Sequence, residues 1–513
     1  AAHDAAAVPD AAPSPTDGAM AANDLAVTAN APAPVIVQLF DWPFAAIGAE
    51  LPLLAAIGYT HIHVSPPMLS NPSTQWWGRY QPVDYRVIDG PLGDEAAFAA
   101  MTAAAKSYGI AIVVDVVFNH MANLGASYSL TFPPPASQLQ AMYGSSYPQL
   151  TTSLYTPDDF HAAFCITDYT NAQQVRDGRI CSGAGDTGLP DLRQTNDDGT
   201  IRQDVLAQQS AYLQHLLSLG VGGFRFDAIK HMEPSYFPSL LGGLPAGLLL
   251  FGESIVGNDQ PGWDADVTPY LSLGLPLRLY DFPLIDTLRA ALAPGGDMRT
   301  WLTAGANDRS ALPAASSIAF VLDHDIPQDP EPGYYMGSCA NTQSYGDPVA
   351  ERLAYAFVLG RAGSIPYVYS DRGTSGNDGV VSDAYRNAHR RCDLARMVRF
   401  ATLTAGTAQS TLVSAARQIA WQRGTHAFVA VNADTNAWTS SAPASSSSTL
   451  ADGRYVDLIG GGTLEVAGGI VPRLTVAARD TAMFVHDTIY TATVAASVAA
   501  LACESPQPPV CNH

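Results

Sequence analysis

The sequence predicts an α/β fold, a (β/α)8 barrel of the TIM type with an inserted domain and a C-terminal antiparallel β-sandwich domain. Three observations lead to this fold class. Eight short apolar runs alternate with amphipathic, helix-length segments between residues 35 and 370. The polar residues of these runs cluster at their C-terminal ends. From about residue 401 the pattern changes to short strands with turn residues between them, which is typical of a sandwich.

The eight predicted strands are VIVQLF (35–40), HIHVSP (61–66), IAIVVDVVF (110–118), VGGFRFD (221–227), LLLFGES (248–254), LRLYDF (277–282), SIAFVLD (317–323) and SIPYVYS (364–370). Helices are predicted between them, among others from Gly93-Asp94-Glu95 to Tyr108, over 203–219 and over 348–361. This alternation fits either a parallel barrel or a doubly wound sheet. The strand-end residues Asn119, His120, Asp227, Glu253 and Asp325 would all open on one face of a barrel, which favours the barrel.

The remaining segments complete the predicted domain organisation. Residues 1–33 form an Ala/Pro-rich tail or linker, and the barrel occupies 34–119 and 193–400. The gap at 120–192 is too long for an ordinary connection and is predicted to be an inserted small domain. The C-terminal β-sandwich spans 401–490, and a tail at 491–513 carries two cysteines.

Charge and cysteine content limit the partners and the compartment. The formal charge of −21 argues against nucleic acid, since phosphate would be repelled. No apolar run is long enough to cross a bilayer, and the first residues are expected to begin a mature chain whose leader has been removed. The six cysteines match no zinc-ligand spacing, so disulfides and secretion are expected. The protein is also expected to be a monomer. Local pairing predicts Cys165–Cys181 and Cys503–Cys511, which leaves Cys339–Cys392.

The stretch GFRFDAIKH (223–231) places Arg225 and Asp227 at alternate positions of an apolar strand, so that both face the barrel axis. Buried charges must be paired. Taken alone, this pattern fits an ion pair that staples the barrel as well as it fits a reaction centre.

Further motifs occur in order at successive strand ends. They are DVVFNH (115–120), GLPDL (188–192), FGES (251–254) and FVLDHD (320–325). Together with GFRFDAIKH they closely resemble the conserved regions of the α-amylase family, glycoside hydrolase family 13. WWGRYQPVDY (76–85) and the segment 158–181 resemble the animal and actinobacterial branches. The resemblance spans about 35–490 and implies a barrel, an inserted domain B at 120–192 and activity on starch.

The resemblance implies that Asp227 is the nucleophile, Glu253 the general acid/base and Asp325 the stabiliser of the transition state. A retaining glycosidase needs one ionised carboxylate that attacks the anomeric carbon and one protonated carboxyl that donates to the leaving oxygen. Arg225, on the same strand face, would keep Asp227 ionised. Burial after the apolar run LLLFG would keep Glu253 protonated.

The resemblance also implies residues that contact the sugar chain. They are Trp76, Trp77, Tyr80, Gln81, His120, Arg225, Lys230, His231 and His324. Tyr80 would stack beneath a glucose ring, because sugars present apolar C–H faces. The two histidines of the motifs, His120 and His324, would hydrogen-bond the sugar at the cleavage site.

Calcium is the metal that the resemblance implies. Its ligands would be the side chain of Asn119, the carboxylate of Asp191 and the main-chain oxygens of Arg176 and His231. These are the hard oxygen donors that calcium prefers. Since they come from the barrel and from domain B, the ion would clamp domain B over the cleft.

One departure concerns chloride. Chloride-activated relatives hold the anion between the arginine that matches Arg225, an Asn in the last motif and a second Arg. Here the Asn position is Asp323 and the second Arg position falls on Pro366 or Tyr367. A carboxylate would repel chloride, so none is expected. One hypothesis is that Asp323 replaces the anion, pairs with Arg225 and helps to keep Glu253 protonated.

The leading hypothesis is therefore a secreted, endo-acting, retaining hydrolase of α-1,4-glucosidic bonds in starch. Three alternatives stay open. One is a family member dominated by glycosyl transfer or by a single maltooligosaccharide product. The second is a non-catalytic glucan-binding relative, although this chain keeps all three carboxylates. The third, a phosphate-binding barrel enzyme, lacks a glycine-rich phosphate loop.

Overall fold

A computed structural model of the chain describes residues 33–124, 137, 150, 152–183, 185–306, 308–328, 336, 347–372, 385–440, 448–471 and 473–504. Residues 1–32 of the predicted tail at 1–33, and also Cys339 and Cys511, lie outside the described residues. Within these ranges no helix combines the length and the apolar character that crossing a membrane requires.

Eight parallel strands form a closed barrel, as the sequence predicts. They are Ile36–Phe40 (β1), His61–Val64 (β2), Ala111–Val116 (β3), Gly223–Phe226 (β4), Leu249–Gly252 (β5), Leu277–Tyr280 (β6), Ser317–Ala319 (β7) and Ile365–Asp371 (β8). Each strand pairs with its neighbours in chain order, and β8 closes the ring on β1. All eight lie within or overlap the eight predicted apolar runs.

The helices lie mostly between these strands. The α-helices are Phe44–Ile57, Glu95–Ser107, Ala172–Asp177, Gln203–Ser218, Phe237–Leu241, Gln260–Asp266, Thr268–Leu271, Phe282–Leu292, Arg299–Thr303, Asp325–Gln328, Pro348–Gly360, Cys392–Leu403 and Ala492–Ala499. Short 3-10 helices are Trp76–Tyr80, Pro157–Asp159, Ile229–His231, Pro234–Tyr236, Ala314–Ser316 and Ala388–Arg390. Aspartates begin several of them; the Asp94 side chain, for example, accepts a hydrogen bond from the Ala97 amide.

An antiparallel pair of strands, Met68–Ser70 and Pro82–Ile88, follows β2 and was not predicted. The 3-10 helix Trp76–Tyr80 lies between the two strands. Arg79 holds this excursion together, because its guanidinium donates to the carbonyls of Asn71 at 3.1 Å and Ser73 at 2.6 Å. The hairpin thereby presents the WWGRY residues at the C-terminal face of the barrel.

The C-terminal region is antiparallel, as predicted. Six strands form one sheet in the order Gln409–Ser414, Gln418–Arg423, Ala427–Asn432, Asp480–His486, Gly453–Asp457 and Thr463–Val466, and Trp438–Ser440 pairs with Leu474–Val476 in a second sheet. Buried side chains attach the larger sheet to the barrel. The indole of Trp421 donates to the carbonyl of Gly360 at 2.9 Å, at the end of the helix before β8.

Two disulfides are described, and one corrects the sequence prediction. Cys165–Cys181 forms as expected. Cys503 pairs with Cys392, so the predicted pairs Cys503–Cys511 and Cys339–Cys392 are wrong. The physical reason is that the chain near Glu504 returns to the start of the helix Cys392–Leu403. There the Cys392 amide donates to the Glu504 carbonyl at 2.9 Å. Closeness in sequence did not indicate closeness in the fold.

Candidate active site

A cleft of about 860 Å³ opens at the C-terminal ends of the barrel strands. It is lined by Trp76, Trp77, Tyr80, Gln81, His120, Tyr169, Ile180, Leu189, Asp227, Ala228, Lys230, His231, Glu253, Ile255, Phe282, His324, Asp325 and Ile326. The three predicted catalytic carboxylates are among these residues. So is every predicted sugar-contacting residue except Arg225, which is buried beneath them.

Backbone hydrogen bonds fix Asp227 and Glu253 at the ends of β4 and β5. The Asp227 amide donates to the carbonyl of Val116, and the Glu253 amide donates to the carbonyl of Phe226, both at 2.9 Å. Ala228 has a left-handed conformation (φ 48°), which turns the chain away directly after Asp227. Its amide donates to Glu253 Oε2 at 3.1 Å. The two carboxyls are therefore held side by side.

Arg225 is the charge that these carboxyls share. It is fully buried, and its Nη1 donates to Asp227 Oδ1 at 2.6 Å and to Asp115 Oδ1 at 2.7 Å. Its Nη2 is in close contact with Glu253 Oε1. The register of the sheet produces this cluster, because Asp115 of β3 lies directly beside Arg225 of β4. One guanidinium thus faces three carboxyls.

The protonation of the cluster follows from burial and from Arg225. Burial raises the pKa of Asp227 to about 8, and the Arg225 guanidinium opposes this shift. Burial acts on Asp115 too, but Arg225 and His63 outweigh it and lower the pKa of that carboxyl to about 2. Burial and the repulsion by Glu253 raise the pKa of Asp325 well above its usual value. The carboxyls of the site therefore titrate together, and the site as a whole keeps a proton to a higher pH than an isolated carboxyl would.

Asp325 begins a short helix that follows β7, and its neighbour His324 forms part of an aromatic stack. The His324 ring stacks on Phe40 with centroids 4.7 Å apart and on Tyr80 at 4.9 Å. Its Nδ1 lies 3.1 Å from Nε2 of Gln38, and its Nε2 lies 3.4 Å from Asp325 Oδ1. Burial lowers the pKa of His324 well below its usual value, so a neutral imidazole stands beside Asp325.

Tyr80 connects the wall of the cleft to the buried cluster. Its hydroxyl donates to Asp115 Oδ2 at 2.9 Å, and Trp76 packs edge-on against its ring at 6.0 Å. His120 donates from Nε2 to the Tyr80 carbonyl at 2.9 Å. Gln81 accepts from the Asn71 amide group at 2.9 Å, and Trp77 remains exposed. This side of the cleft is aromatic, as the sequence predicts.

Lys230 and His231 lie on the opposite side. Lys230 Nζ donates to the carbonyl of Ile255 at 2.9 Å and lies 5.4 Å from the centre of the Tyr169 ring. His231 Nδ1 donates to the carbonyl of Val175 at 3.0 Å. Tyr169, half exposed in the inserted segment, was missed by sequence reasoning. Its position in the sequence, an aromatic residue a few positions before QVRDG, could have indicated that it lies near the cleft.

Two of the predicted calcium ligands, Asn119 and Asp191, lie where the inserted segment joins the barrel. Backbone pairing of His120 with Asp191 brings the two segments together. Asn119 Oδ1 and Asp191 Oδ1 are both buried, and neither has a hydrogen-bond partner. Burial raises the pKa of Asp191 well above its usual value. Two buried, unpartnered oxygens of this kind fit a cation, which would supply the missing interaction and keep Asp191 ionised.

The two main-chain ligands are also predicted to lie here. Arg176 belongs to the helix Ala172–Asp177 of the inserted segment, and its guanidinium donates to the Ala265 carbonyl at 3.2 Å. The preceding residue, Val175, accepts the hydrogen bond from His231. The inserted helix is therefore attached to the barrel turn that carries His231.

The hypothesis that Asp323 pairs with Arg225 is wrong. In the described part of the chain, the ion pairs of Arg225 are with Asp115, Asp227 and Glu253. Asp323 lies instead beside Glu253 and Asp325. The reason is that β3 supplies Asp115 directly beside Arg225, while Asp227 and Glu253 take the other contacts of the guanidinium. Asp115 and its contact His63 were not singled out in the sequence, since strand register is needed to place them next to Arg225.

Comparisons with known proteins agree with this geometry. The family model for the α-amylase catalytic domain matches residues 44–243. An α-amylase of Aeromonas hydrophila is 34% identical over 431 residues, which cover 81% of this chain and 88% of that protein. An α-amylase of Tribolium castaneum is 28% identical over 426 residues, 77% of this chain and 81% of that protein.

A solved structure supports the fold. The crystal structure of α-amylase I from Eisenia fetida superposes with a TM-score of 0.69 at 24% identity, and covers 88% of this chain and 97% of that chain.

Proposed function

Because the chain belongs to the α-amylase family of glycoside hydrolases, we propose that it hydrolyses internal α-1,4-glucosidic bonds of starch and related glucans with retention of configuration. The observation that carries this proposal is Arg225, which contacts Asp227 with Nη1 and Glu253 with Nη2. Retaining enzymes need carboxyls about 5–5.5 Å apart, whereas inverting enzymes need about 6.5–9.5 Å. Two carboxyls on one guanidinium support the shorter spacing.

In the proposed mechanism Asp227 attacks the anomeric carbon while Glu253 protonates the leaving oxygen, and a covalent glycosyl-enzyme forms. Glu253 then removes a proton from water, which releases the sugar with its original configuration. The guanidinium of Arg225 opposes the rise that burial causes in the pKa of Asp227, and to that extent favours the ionised form that attacks. Asp325, with neutral His324 beside it, would stabilise the positive charge that develops on the ring.

The sugar chain would lie along the cleft between the aromatic wall and the basic side. Tyr80 would stack beneath a glucose ring, with Trp76, Trp77 and Gln81 at adjacent subsites. His120 and His324 would hydrogen-bond the sugar at the cleavage site. Lys230 and His231 would contact sugars on the leaving-group side, and Tyr169 would cover them.

The variants Asp227→Asn and Glu253→Gln test the mechanism. Each should reduce the release of reducing sugar from soluble starch roughly 10⁴-fold or more, as loss of a catalytic group does. The exposed residue Asp264 offers a control, since Asp264→Asn should leave the rate unchanged. Nuclear magnetic resonance of fresh products should show the α-anomer first. Retained activity in Asp227→Asn, or β-anomeric products, would contradict the proposal.

A product time-course separates the alternatives. Endo-hydrolysis should abolish iodine staining of amylose before much reducing sugar appears, and should give a mixture of maltooligosaccharides. A dominant transfer product, or a single oligosaccharide length from the first minutes, would instead support the glycosyl-transfer alternative. One neighbouring solved structure is described as a cyclomaltodextrin glucanotransferase, so this alternative is worth testing.

Calcium is proposed as the resident metal, held by Asn119, Asp191 and the main-chain oxygens of Arg176 and His231. The unpartnered oxygens of Asn119 and Asp191 support it. When bound, the ion would cross-link the inserted segment to the barrel. Calcium titration calorimetry should show one tight site that is lost in Asp191→Ala and kept in the exposed control Asp168→Asn. Chelation should lower the melting temperature of the wild type, and an unchanged value would contradict the site.

Secretion and chloride independence are proposed as well. The disulfides Cys165–Cys181 and Cys392–Cys503 are typical of proteins from oxidising compartments, and cell fractionation with thiol labelling would test this. Asp323, and either Pro366 or Tyr367, occupy the positions of two anion-binding residues. The rate on starch should therefore be the same in chloride and in acetate buffers of equal ionic strength.

A further inference from the structure

Asp323 is a buried carboxyl to which the proposed mechanism gives no role. It follows β7, and its side chain is 0% exposed. Its Oδ1 accepts a hydrogen bond from the Ile326 amide at 3.3 Å, while its Oδ2 is buried without a hydrogen-bond partner. The Asp325 amide also acts on this carboxyl. A buried carboxylate that only two backbone amides and no side chain stabilise by hydrogen bonding is costly in its ionised form.

The nearest acidic groups are two of the proposed catalytic residues. Carboxylate oxygens of Glu253, Asp323 and Asp325 all lie within 4.8 Å of one another. The guanidinium of Arg225 and the phenols of Tyr280 and Tyr367 also face Asp323. Arg225 pairs with other carboxyls, as described above. The carboxyls closest to Asp323 therefore repel its charge, and the more distant Arg225 offsets this repulsion only in part.

Two buried carboxyls at this distance do not both ionise readily, because their repulsion is not screened by water. The pair then loses one proton at low pH and keeps the second to a higher pH than a single carboxyl would. Burial, together with repulsion by Glu253, raises the pKa of Asp323 to about 7. A raised pKa is the expected result if Asp323 and Glu253 retain one proton between them.

We propose that Asp323 is a positioning residue that shares a proton with Glu253 and so keeps Glu253 competent to protonate the leaving oxygen near neutral pH. The inference rests on the proposed role of Glu253 as the general acid. It differs from anion replacement at Arg225, because Asp323 acts directly on Glu253. The cost is a buried like-charge pair, which functional sites tolerate when it adjusts the protonation of a catalytic group.

The variant Asp323→Asn tests the proposal. Asparagine keeps the shape and the acceptor for the Ile326 amide but removes the charge. The basic limb of the profile of kcat/KM against pH should move down by about one pH unit, and the rate above that limb should fall about tenfold. The acidic limb should stay in place. Asp323→Glu, which keeps a carboxyl, should keep the basic limb close to that of the wild type.

A matched control is Asp281→Asn, which also removes a fully buried carboxylate at the end of a barrel strand. Asp281 accepts hydrogen bonds from Ser317 and from the Leu312 amide, and its charge partner is Arg361. This variant should keep the basic limb. A shift of equal size in Asp281→Asn would show a general effect of lost charge and would overturn the proposal.

A second readout does not depend on activity. Because the pKa of Asp323 is raised in the folded chain, its contribution to stability is present at low pH and is lost as the pH rises through about 7. The melting temperature of Asp323→Asn, relative to that of the wild type, should therefore increase between pH 5 and pH 8. An equal pH dependence in both proteins would overturn the shared proton.

The outcomes separate the two claims. If the wild type hydrolyses starch and Asp323→Asn keeps its basic limb, the inference fails while the proposed function stands. If Glu253→Gln remains fully active, the proposed function fails. The melting-temperature series then decides alone whether the buried pair holds a proton.

Discussion

At the scale of single residues, the opposite charges of the GFRFD strand are explained by their neighbours. Arg225 would be prohibitively costly inside an apolar barrel by itself. Asp115 neutralises it from β3, while Asp227 and Glu253 approach it at the cleft. Arg225 thus forms a structural ion pair with Asp115 and also places a positive charge beside the proposed nucleophile. Of the two interpretations of the strand that the sequence left open, the structural ion pair is present with Asp115, and the reaction centre is the function proposed above.

Tyr80 allows the structural and the binding contributions of one residue to be separated. Tyr80→Phe removes only the hydrogen bond to Asp115, and should lower the free energy of unfolding by about 2 kcal/mol, since hydrogen bonds to charged groups contribute about that much. It should keep the KM for maltooligosaccharides. Tyr80→Leu also removes the ring, and KM should rise about tenfold, equivalent to ~1.4 kcal/mol. Denaturant unfolding and steady-state kinetics measure the two effects.

Equal KM values for the two variants would contradict a stacking role for Tyr80. A loss of stability in Tyr80→Phe with unchanged binding would show that the hydroxyl serves the buried cluster alone.

Much of the candidate site could be predicted residue by residue, because each motif lies at a strand end and all parallel strands end on the same face. What could not be predicted was the layer below. His63 approaches Asp115 at 3.4 Å and Tyr367 at 2.9 Å. These contacts join strands far apart in sequence, and only barrel closure brings them together. The same holds for Asp323, whose expected partner, Arg225, was already paired.

At the scale of elements, the barrel strands were predictable because continuous apolar runs are typical of strands that are buried on both sides. The hairpin Met68–Ser70 and Pro82–Ile88 was not, since its strands are short and flank a Gly- and Trp-containing turn. The starts of the helices at Glu95 and Pro348 could be predicted, because the capping residues Asp94 and Asp347 precede them.

Peptide mapping should confirm the path of the C-terminal segment. Without reduction, the peptide that contains Cys503 should be linked to the peptide that contains Cys392. Because this bond closes a loop of 111 residues, Cys503→Ser should lower the free energy of unfolding by about 3–5 kcal/mol. A Cys503–Cys511 linkage would instead support local pairing and contradict the observed return of the chain.

Arg423 attaches the C-terminal sheet to the barrel. It is buried, and its guanidinium donates to the carbonyls of Gly360 at 2.9 Å, Arg361 at 2.7 Å and Thr404 at 2.9 Å. Arg423→Met removes these three hydrogen bonds, although the Trp421 indole still donates to Gly360, and should cost roughly 3 kcal/mol, measured by thermal unfolding. The exposed control Arg454→Met should stay within about 0.5 kcal/mol of the wild type. Equal melting temperatures would show that Arg423 does not hold the two regions together.

At the scale of the whole molecule, buried acids and buried histidines oppose each other as the pH changes. Burial raises the pKa of Asp41 to about 7 and that of Glu351 to about 7, in addition to the acids of the cleft. Burial lowers the pKa of His61 to about 4, and it lowers that of His389 as well. The acids bind more protons when folded, so their contribution to stability is lost as the pH rises through about 7. The histidines bind fewer, so theirs is lost as the pH falls below about 6.

The chain should therefore be most stable at mildly acidic pH, where the buried histidines are neutral and the buried acids still hold protons. Between pH 6.5 and pH 8 the buried acids with raised pKa values lose their protons, and the melting temperature should fall. Glu351→Gln should reduce this fall, because glutamine has no ionisable group. It can still accept the hydrogen bond that the Tyr385 hydroxyl donates to Glu351 Oε1 at 2.8 Å. Scanning calorimetry at pH 5, 6.5 and 8 measures it. A melting temperature that rises from pH 6.5 to pH 8, or an identical fall in Glu351→Gln, would mean that these buried acids are already ionised in the folded chain.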